Sequence, residues 1–471
     1  MLSYSEKIKE YVSAHSIEIV EVLKELVRIP SVRDEAMPGA PFGKECSDVL
    51  LCTEALYKKY GFECELDGEG GYLLSYFGKA EKSLGIFAHA DVVPAGEGWT
   101  LTSPFEPKEV DGFLVGRGVM DDKAAIVASL FVARIINELS IPFNSRLLLF
   151  TGSSEESGMG DIKNYLKSHT PPDFALVPDA CFPLYRGNKG RILMKAVRNS
   201  ALGEIKSLVG GGGGTNVGEA EARLEFCDKL FEILKSKDSE GLSVTRENDE
   251  IVISAKGIAK HTALPEGSVN AVALIADALR DCKLLSEKTR EICAFLYGAC
   301  TDHYGGYLGI SCEDSDFGKS TFVNYGINAD EACAELNFNI RFGASADIEK
   351  MKAVLAEKFS EHGFDIEILD ESIPHIVPAD HPMLRSLMNS FAKFTGKTNG
   401  KMYVNAGGTY AQLLPCAAEI GVTTKGGRPE GLPTGHGAVH QPDECISIDG
   451  LLEAIELTTL MILECDKELN K

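Results

Sequence analysis

Residues 146–161 read RLLLFTGSSEESGMGD. The apolar run Leu147 to Phe150 has the length and composition of a buried strand, and it empties into a Ser- and Gly-rich loop that holds two adjacent acids, Glu155 and Glu156. Neighbouring carboxylates repel, so such a pair gains nothing in a loop unless something positive sits beside it. The same pattern of strand into polar loop recurs nearby. Tyr72 to Phe77, Leu84 to Ala88 and Phe174 to Val177 read as further strands, with a long helix predicted over Ala124 to Leu139. Ile19, Val22, Leu23 and Leu26 form an apolar stripe at helical spacing, and Val49, Leu50, Ala55 and Leu56 suggest another helix before Gly61. Alternating helix and strand signals predict an α/β layered architecture.

From about Arg186 the texture changes. Five consecutive glycines, Gly210 to Gly214, precede strand signals such as Ile251 to Ser254 and amphipathic helices near Asn270 to Leu284 and Asp347 to Phe359, an α+β pattern. After Pro378 the chain returns to a helix over Met383 to Phe394, glycine loops, and a last helix opened by Ser447 and Asp449 and running to Glu464. A middle insertion accounts for this order, with residues 1–185 and 379–471 forming one discontinuous unit and residues 186–378 a second domain. The glycine run lacks the Lys that a phosphate-binding loop places after its glycines, since Thr215 and Asn216 follow it. A flexible turn is the expectation there.

Composition narrows the partners. The 471 residues are 44% hydrophobic and 25% charged, the mix of a globular protein with a large core. A net charge of -23 disfavours nucleic acid and anionic membrane surfaces, both of which attract Lys and Arg, and leaves a small substrate or a cation as the expected partner. The charged N-terminal stretch has no signal-peptide core, and no segment approaches the roughly 20 apolar residues of a membrane span. The 13 cysteines include no C-x-x-C pair and read as reduced thiols of a cytoplasmic protein, which removes cysteine from the expected metal ligands.

Five segments end an apolar strand or open a polar loop with ligand-type side chains. GIFAHADVVPAGEGW carries His89 and Asp91, two apart and so on one face of a strand; one can bind a metal while the other holds the imidazole. GRGVMDDKAA sets Asp121 and Asp122 just before a helix, where acids also serve as caps. The others are the Glu155–Glu156 pair, Asp179 in LVPDACFP, and His440 in HGAVHQPDE. Histidine mixed with carboxylate is the donor set of divalent ions such as Zn²⁺ or Mn²⁺.

HADVVP, GRGVMDDK, SSEESG, VPDA and HQPDE, in this order, resemble the signature of the M20 family of co-catalytic zinc peptidases, and the layout most resembles its PepV-like dipeptidases. The likeness extends to GIAKHTALPEGSVNA and LNFNIRFG in the insertion. It implies a di-metal catalytic domain, a mixed sheet flanked by helices, with an inserted α+β lid. It implies that Asp121 bridges two ions, zinc before manganese, with His89 and Asp179 completing one site and Glu156 and His440 the other. Asp91 would orient His89, Glu155 would be the general base, and His261 would stabilise the oxyanion. Asn216, Arg341 and the Gly407, Gly408 and Thr409 loop match positions that contact substrate, although a plain glycine turn also describes that loop. Shorter members dimerise through a lid of about half this size and borrow the histidine from the partner, whereas residues 186–378 can hold two such lid units. The resemblance therefore implies a monomeric dipeptidase acting on dipeptides with a free N-terminus. An N-acyl-amino-acid amidohydrolase or an inactive binding homologue are the alternatives.

Overall fold

The apolar segments that end in polar loops form the middle of a nine-stranded mixed sheet. Strands Arg146–Gly152, Ser83–His89 and Phe174–Ala180 lie side by side and parallel, with His89 opposite Gly152. Every residue of Ser83–His89 is buried, the reason it reads as an unbroken apolar run instead of an alternating one. Tyr72–Phe77 and then Glu63–Asp67 extend this side antiparallel, and Ala417–Gly421 joins the other side parallel to Phe174–Ala180. Leu184–Asn188 follows, pairing with both His375–Ile376 and Met402–Asn405. The three central strands deliver their C-terminal ends, and the loops after them, to one edge of the sheet. Parallel strands in α/β sheets place ligands at this edge.

This computed structural model describes residues 4–471. It divides into two compact units, the chain up to Asn188 together with His375–Lys471, and Lys189–Pro374. In the first, helix Lys123–Glu138 is buried on all sides as far as Ile136, because it packs on Ser83–His89 and Arg146–Gly152 and is covered by helices Ser16–Val27 and Ile448–Leu469. Helix Ile448–Leu469 starts where the sequence places it, with Ser447 Oγ accepting from Gly450 N at 3.1 Å. A small sheet pairs Cys445–Ser447 with Phe113–Val115, which brings the His440 loop to the segment carrying Asp121. Gly152, last in its strand, has no tolerable replacement: a Cβ there would lie 2.0 Å from Tyr410 Oη and 2.2 Å from Asp161 Oδ2.

The second unit is built on an antiparallel sheet of eight strands with four helices, and Glu313–Asp314 pairs separately with Gly318–Lys319. It divides at the pairing of Ile205–Gly211 with Thr321–Ala329 into two four-stranded halves. Helices Asp228–Lys235 and Ala271–Arg280 pack on one half, and Glu287–Thr301 and Ile348–Ser360 on the other. Helix Glu287–Thr301 is absent from the sequence reading, although Ile292, Phe295, Leu296, Ala299 and Cys300 bury at helical spacing. The glycine run is not simply a flexible turn. Gly210 and Gly211 finish a strand, opposite Ile327 and Gly326, and the turn begins only at Gly212. A Cβ on Gly210 would meet the Glu219 carbonyl oxygen at 2.9 Å, so the bare backbone serves close packing at the centre of the sheet. No helix among the described residues is long and apolar enough to cross a membrane.

Candidate metal centre

His89 ends its strand with the ring fully buried. Its Nδ1 lies 3.0 Å from the backbone carbonyl oxygen of Asp91, which can only accept, so Nδ1 carries a proton. Nε2 faces the opposite way, 3.0 Å from Asp121 Oδ1 and 3.9 Å from Asp179 Oδ2, without forming a hydrogen bond. A ring nitrogen aimed at two carboxylates is an arrangement that a cation makes favourable.

Asp91 does more than face His89. Its carboxylate, 3.6 Å from His89 Nδ1, accepts from Glu155 N at 3.0 Å with one oxygen and from Glu156 N at 3.1 Å with the other. One buried acid therefore holds both the histidine and the acidic loop. Asp161 fixes the loop's start, its carboxylate accepting from Ser154 N at 2.7 Å and from the Tyr410 hydroxyl. Successive side chains then diverge. Glu156 Oε1 lies 2.8 Å from His440 Nε2, while Glu155 turns inward and leaves Oε1 buried and unbonded.

Asp121 sits between two imidazoles, Oδ1 facing His89 and Oδ2 lying 2.9 Å from His440 Nε2. Its loop is held by Glu444, which sequence reasoning did not single out. Glu444 Oε1 accepts from the main-chain N–H groups of Gly118, Met120 and Asp121 at 3.0–3.2 Å, and Oε2 pairs with the buried Arg117 at 2.6 Å. A carboxylate directly ahead of the apolar Cys445–Ser447 strand was the available signal, because an acid there must find donors. Asp122 is wholly buried, its carboxylate accepting from His89 N at 3.3 Å.

The electrostatics are those of a cation site. Burial raises the Glu155 carboxyl well above the usual range, with Asp179 and Glu156 adding to the shift and His89 opposing it. Asp179 is raised likewise, by burial and then by Asp121. Burial also works against ionisation of Asp121, but the two imidazoles beside it, His440 and His89, outweigh it and hold its carboxyl low. Asp121 and Glu156 push His440 up to about 10. Five carboxylates, Asp91, Asp121, Glu155, Glu156 and Asp179, thus draw positive charge onto two histidines. His89, Asp121 and Glu156, and separately His89, Glu155 and Asp179, each bring ligand atoms within 4.8 Å of one another. Nε2 of His89 and Oε1 of Glu155 are buried donor atoms aimed at this space, so the residues fit divalent cations.

The remaining predicted residues lie in two other places. Gly407, Gly408 and Thr409 follow the Met402–Asn405 strand in the first unit, and Thr409 Oγ1 donates to the buried Glu419 at 2.6 Å. His261, Asn216 and Arg341 belong to the second unit. His261 is exposed on a loop whose shape Asn216 sets, donating with Nδ2 to the carbonyls of Ile258 and Val269 and accepting from Lys260 N at 2.7 Å. Both amide hydrogens of this buried side chain are spent on main chain, which leaves none for a substrate carbonyl. Arg341 is buried, its Nε donating to Asn339 at 3.0 Å, and burial lowers its pKa to about 10.

Asp91→Ala is expected to lower metal affinity or activity about 10- to 100-fold, the usual cost of losing an outer-shell partner. Metal titration and turnover on one preparation measure it, and wild-type values for both would refute the clamp.

Comparison with known proteins places the chain among peptidases. The chain matches a Beta-Ala-Xaa dipeptidase of Lactobacillus delbrueckii subsp. lactis at 29% identity, over 98% of each chain. Its fold is shared with human carnosine dipeptidase 1, at a TM-score of 0.61, 15% identity and 99% of both chains. It is shared also with the di-peptidase Dug1p from Saccharomyces cerevisiae, at a TM-score of 0.58, 14% identity and again 99% of both. Residues 85–464 match the model of peptidase family M20/M25/M40 and contain the His89 to His440 cluster, so the chain belongs to that family of hydrolases.

Proposed function

We propose that this peptidase is a metal-dependent dipeptidase that cleaves the peptide bond of small peptides with a free N-terminus. The observation that carries the reading is the placement of Asp121, one oxygen toward His89 and the other toward His440. This supports Asp121 as the carboxylate that would serve both ions, with His89 and Asp179 as the residues that would hold one and Glu156 and His440 the other. We assign zinc first and manganese second, on the mixed imidazole and carboxylate donors. Two such ions, when bound, supply Lewis acidity toward a water molecule and the peptide carbonyl.

The chain's own groups do the rest. Glu155, unbonded at Oε1 and inclined by burial to hold a proton, takes one from the attacking water and passes it to the leaving amine. Asp91 keeps His89 and the Glu155 backbone in place. His261 donates to the oxyanion, Arg341 and the Gly407–Thr409 loop receive the substrate's carboxylate end, and Asn216 shapes the His261 loop. The likeness to a relative named for a dipeptidase activity supports this substrate class. Thirteen free thiols support a cytoplasmic location. The two four-stranded halves of the second unit support a monomer, one half standing in for the lid that shorter relatives take from a partner.

Three measurements test these assignments. Glu155→Gln is expected to keep both metals and lose roughly a hundredfold or more in rate, while Glu156→Gln loses metal as well. Equal metal loss in the two variants would overturn the division of roles. A free dipeptide should be cleaved much faster than its N-acetylated form, since acylation removes the amine's charge and hydrogen bonds; the opposite order would make the enzyme an N-acyl-amino-acid amidohydrolase. Mixing inactive His261→Ala and Glu155→Ala chains should restore no activity in a monomer, and substantial recovery would establish an exchanged histidine.

A further inference from the structure

Glu419 has no part in the chemistry above, yet it is fully buried on strand Ala417–Gly421, beside the strand that carries Asp179. Three side chains converge on its carboxylate. Oε1 accepts from Thr409 Oγ1 at 2.6 Å and from Asn188 Nδ2, and Oε2 accepts from Asn405 Nδ2 at 2.8 Å. Asn405 and Thr409 are the two ends of the loop that contains Gly407 and Gly408. The hold continues into the loop itself. Asn405 Oδ1 accepts from Gly407 N at 2.9 Å, Asn188 Nδ2 donates to the Gly407 carbonyl at 3.0 Å, and Thr409 Oγ1 accepts from Ala411 N at 3.2 Å. A glycine pair has no side chains with which to fix its own conformation, so these outer bonds set the path of its backbone, the Gly407 N–H itself being taken by Asn405.

We infer that Glu419 is a positioning residue for substrate binding: through Asn405, Thr409 and Asn188 it holds the Gly407–Thr409 loop in the shape that receives the substrate's terminal carboxylate. This rests on the loop's assignment in the proposed function. Asn188 adds a second link, being the last residue before the chain leaves the first unit and in register with His375, where it returns. A carboxylate suits this node because it is acceptor-only, and three donors point at it. A glutamine of the same shape would set its own N–H groups against at least one of them.

The test compares a dipeptide with its C-terminal amide, which lacks the charge that the loop receives. The wild type should favour the free acid through KM. Glu419→Gln should raise KM for the acid roughly tenfold, change kcat by less than about threefold, retain two metals per chain, and shrink the acid-to-amide preference, because one lost bond to a charged acceptor is worth about that much. Should Glu419→Gln fold poorly, Asn405→Ala removes one donor from a half-buried position and should shift the preference in the same direction. Equal losses on acid and amide would reduce Glu419 to a structural role and overturn the inference. A wild-type preference that persists unchanged in both variants would overturn it while sparing the loop's assignment. A wild type indifferent to the amide would remove that assignment and the inference together.

Discussion

A carboxylate taken out of water must find hydrogen-bond donors, and the first unit is organised around that requirement. Four buried acids each collect donors from a loop, and for three of them that loop carries the ligand-type side chains. Asp91 takes the amides of Glu155 and Glu156, Asp161 that of Ser154, Glu444 those of Gly118, Met120 and Asp121, and Glu419 the side chains around Gly407. Loops rich in glycine and serine are thereby given fixed shapes without an apolar core of their own. Burial pushes Glu419 up to about 7 even with three donors restraining it, so desolvation outweighs the hydrogen bonds at this point.

The acids that face the centre are under the opposite condition. Glu155 and Asp179 are buried beside other negative charges, and both effects raise their carboxyls. Such a cluster is unfavourable in isolation and becomes favourable around cations, the logic of a metal centre. Adjacent glutamates can then differ in role because Asp91 grips both of their amides and turns the side chains apart, one to His440 and one inward. Fixed geometry separates two groups of identical chemistry.

The second unit solves a different problem. Eight antiparallel strands form a sheet wide enough to carry two helices on each half, and its core is separate from that of the first unit. Bare glycine backbone lies where the halves join, at Gly210 and Gly211 opposite Ile327 and Gly326. The chain enters and leaves this unit through neighbouring strands, Asn188 being paired with His375. An insertion bounded in this way leaves the strand order of the host sheet intact.

Much of this was legible in the sequence. Leu84 to Ala88, Leu147 to Phe150 and Phe174 to Val177 announced buried strands because a strand covered on both faces needs an unbroken apolar run. His89, Asp121, Glu155, Glu156, Asp179 and His440 stood out because ligand side chains directly follow such runs or open such loops. Short-range pattern also located the helix that Ser447 caps. What it could not supply was the pairing of distant segments. Glu444 lies more than three hundred residues from the loop it anchors, and Tyr410 reaches Asp161 across 249 residues. Nothing near Asn216 revealed that both of its amide hydrogens would be taken by Ile258 and Val269. Local sequence determines which groups can ligate, cap or fill a core, since those properties belong to single side chains and their immediate neighbours. Which buried acid meets which donor depends on the order and register of strands far apart in the chain, and only the tertiary structure decides that.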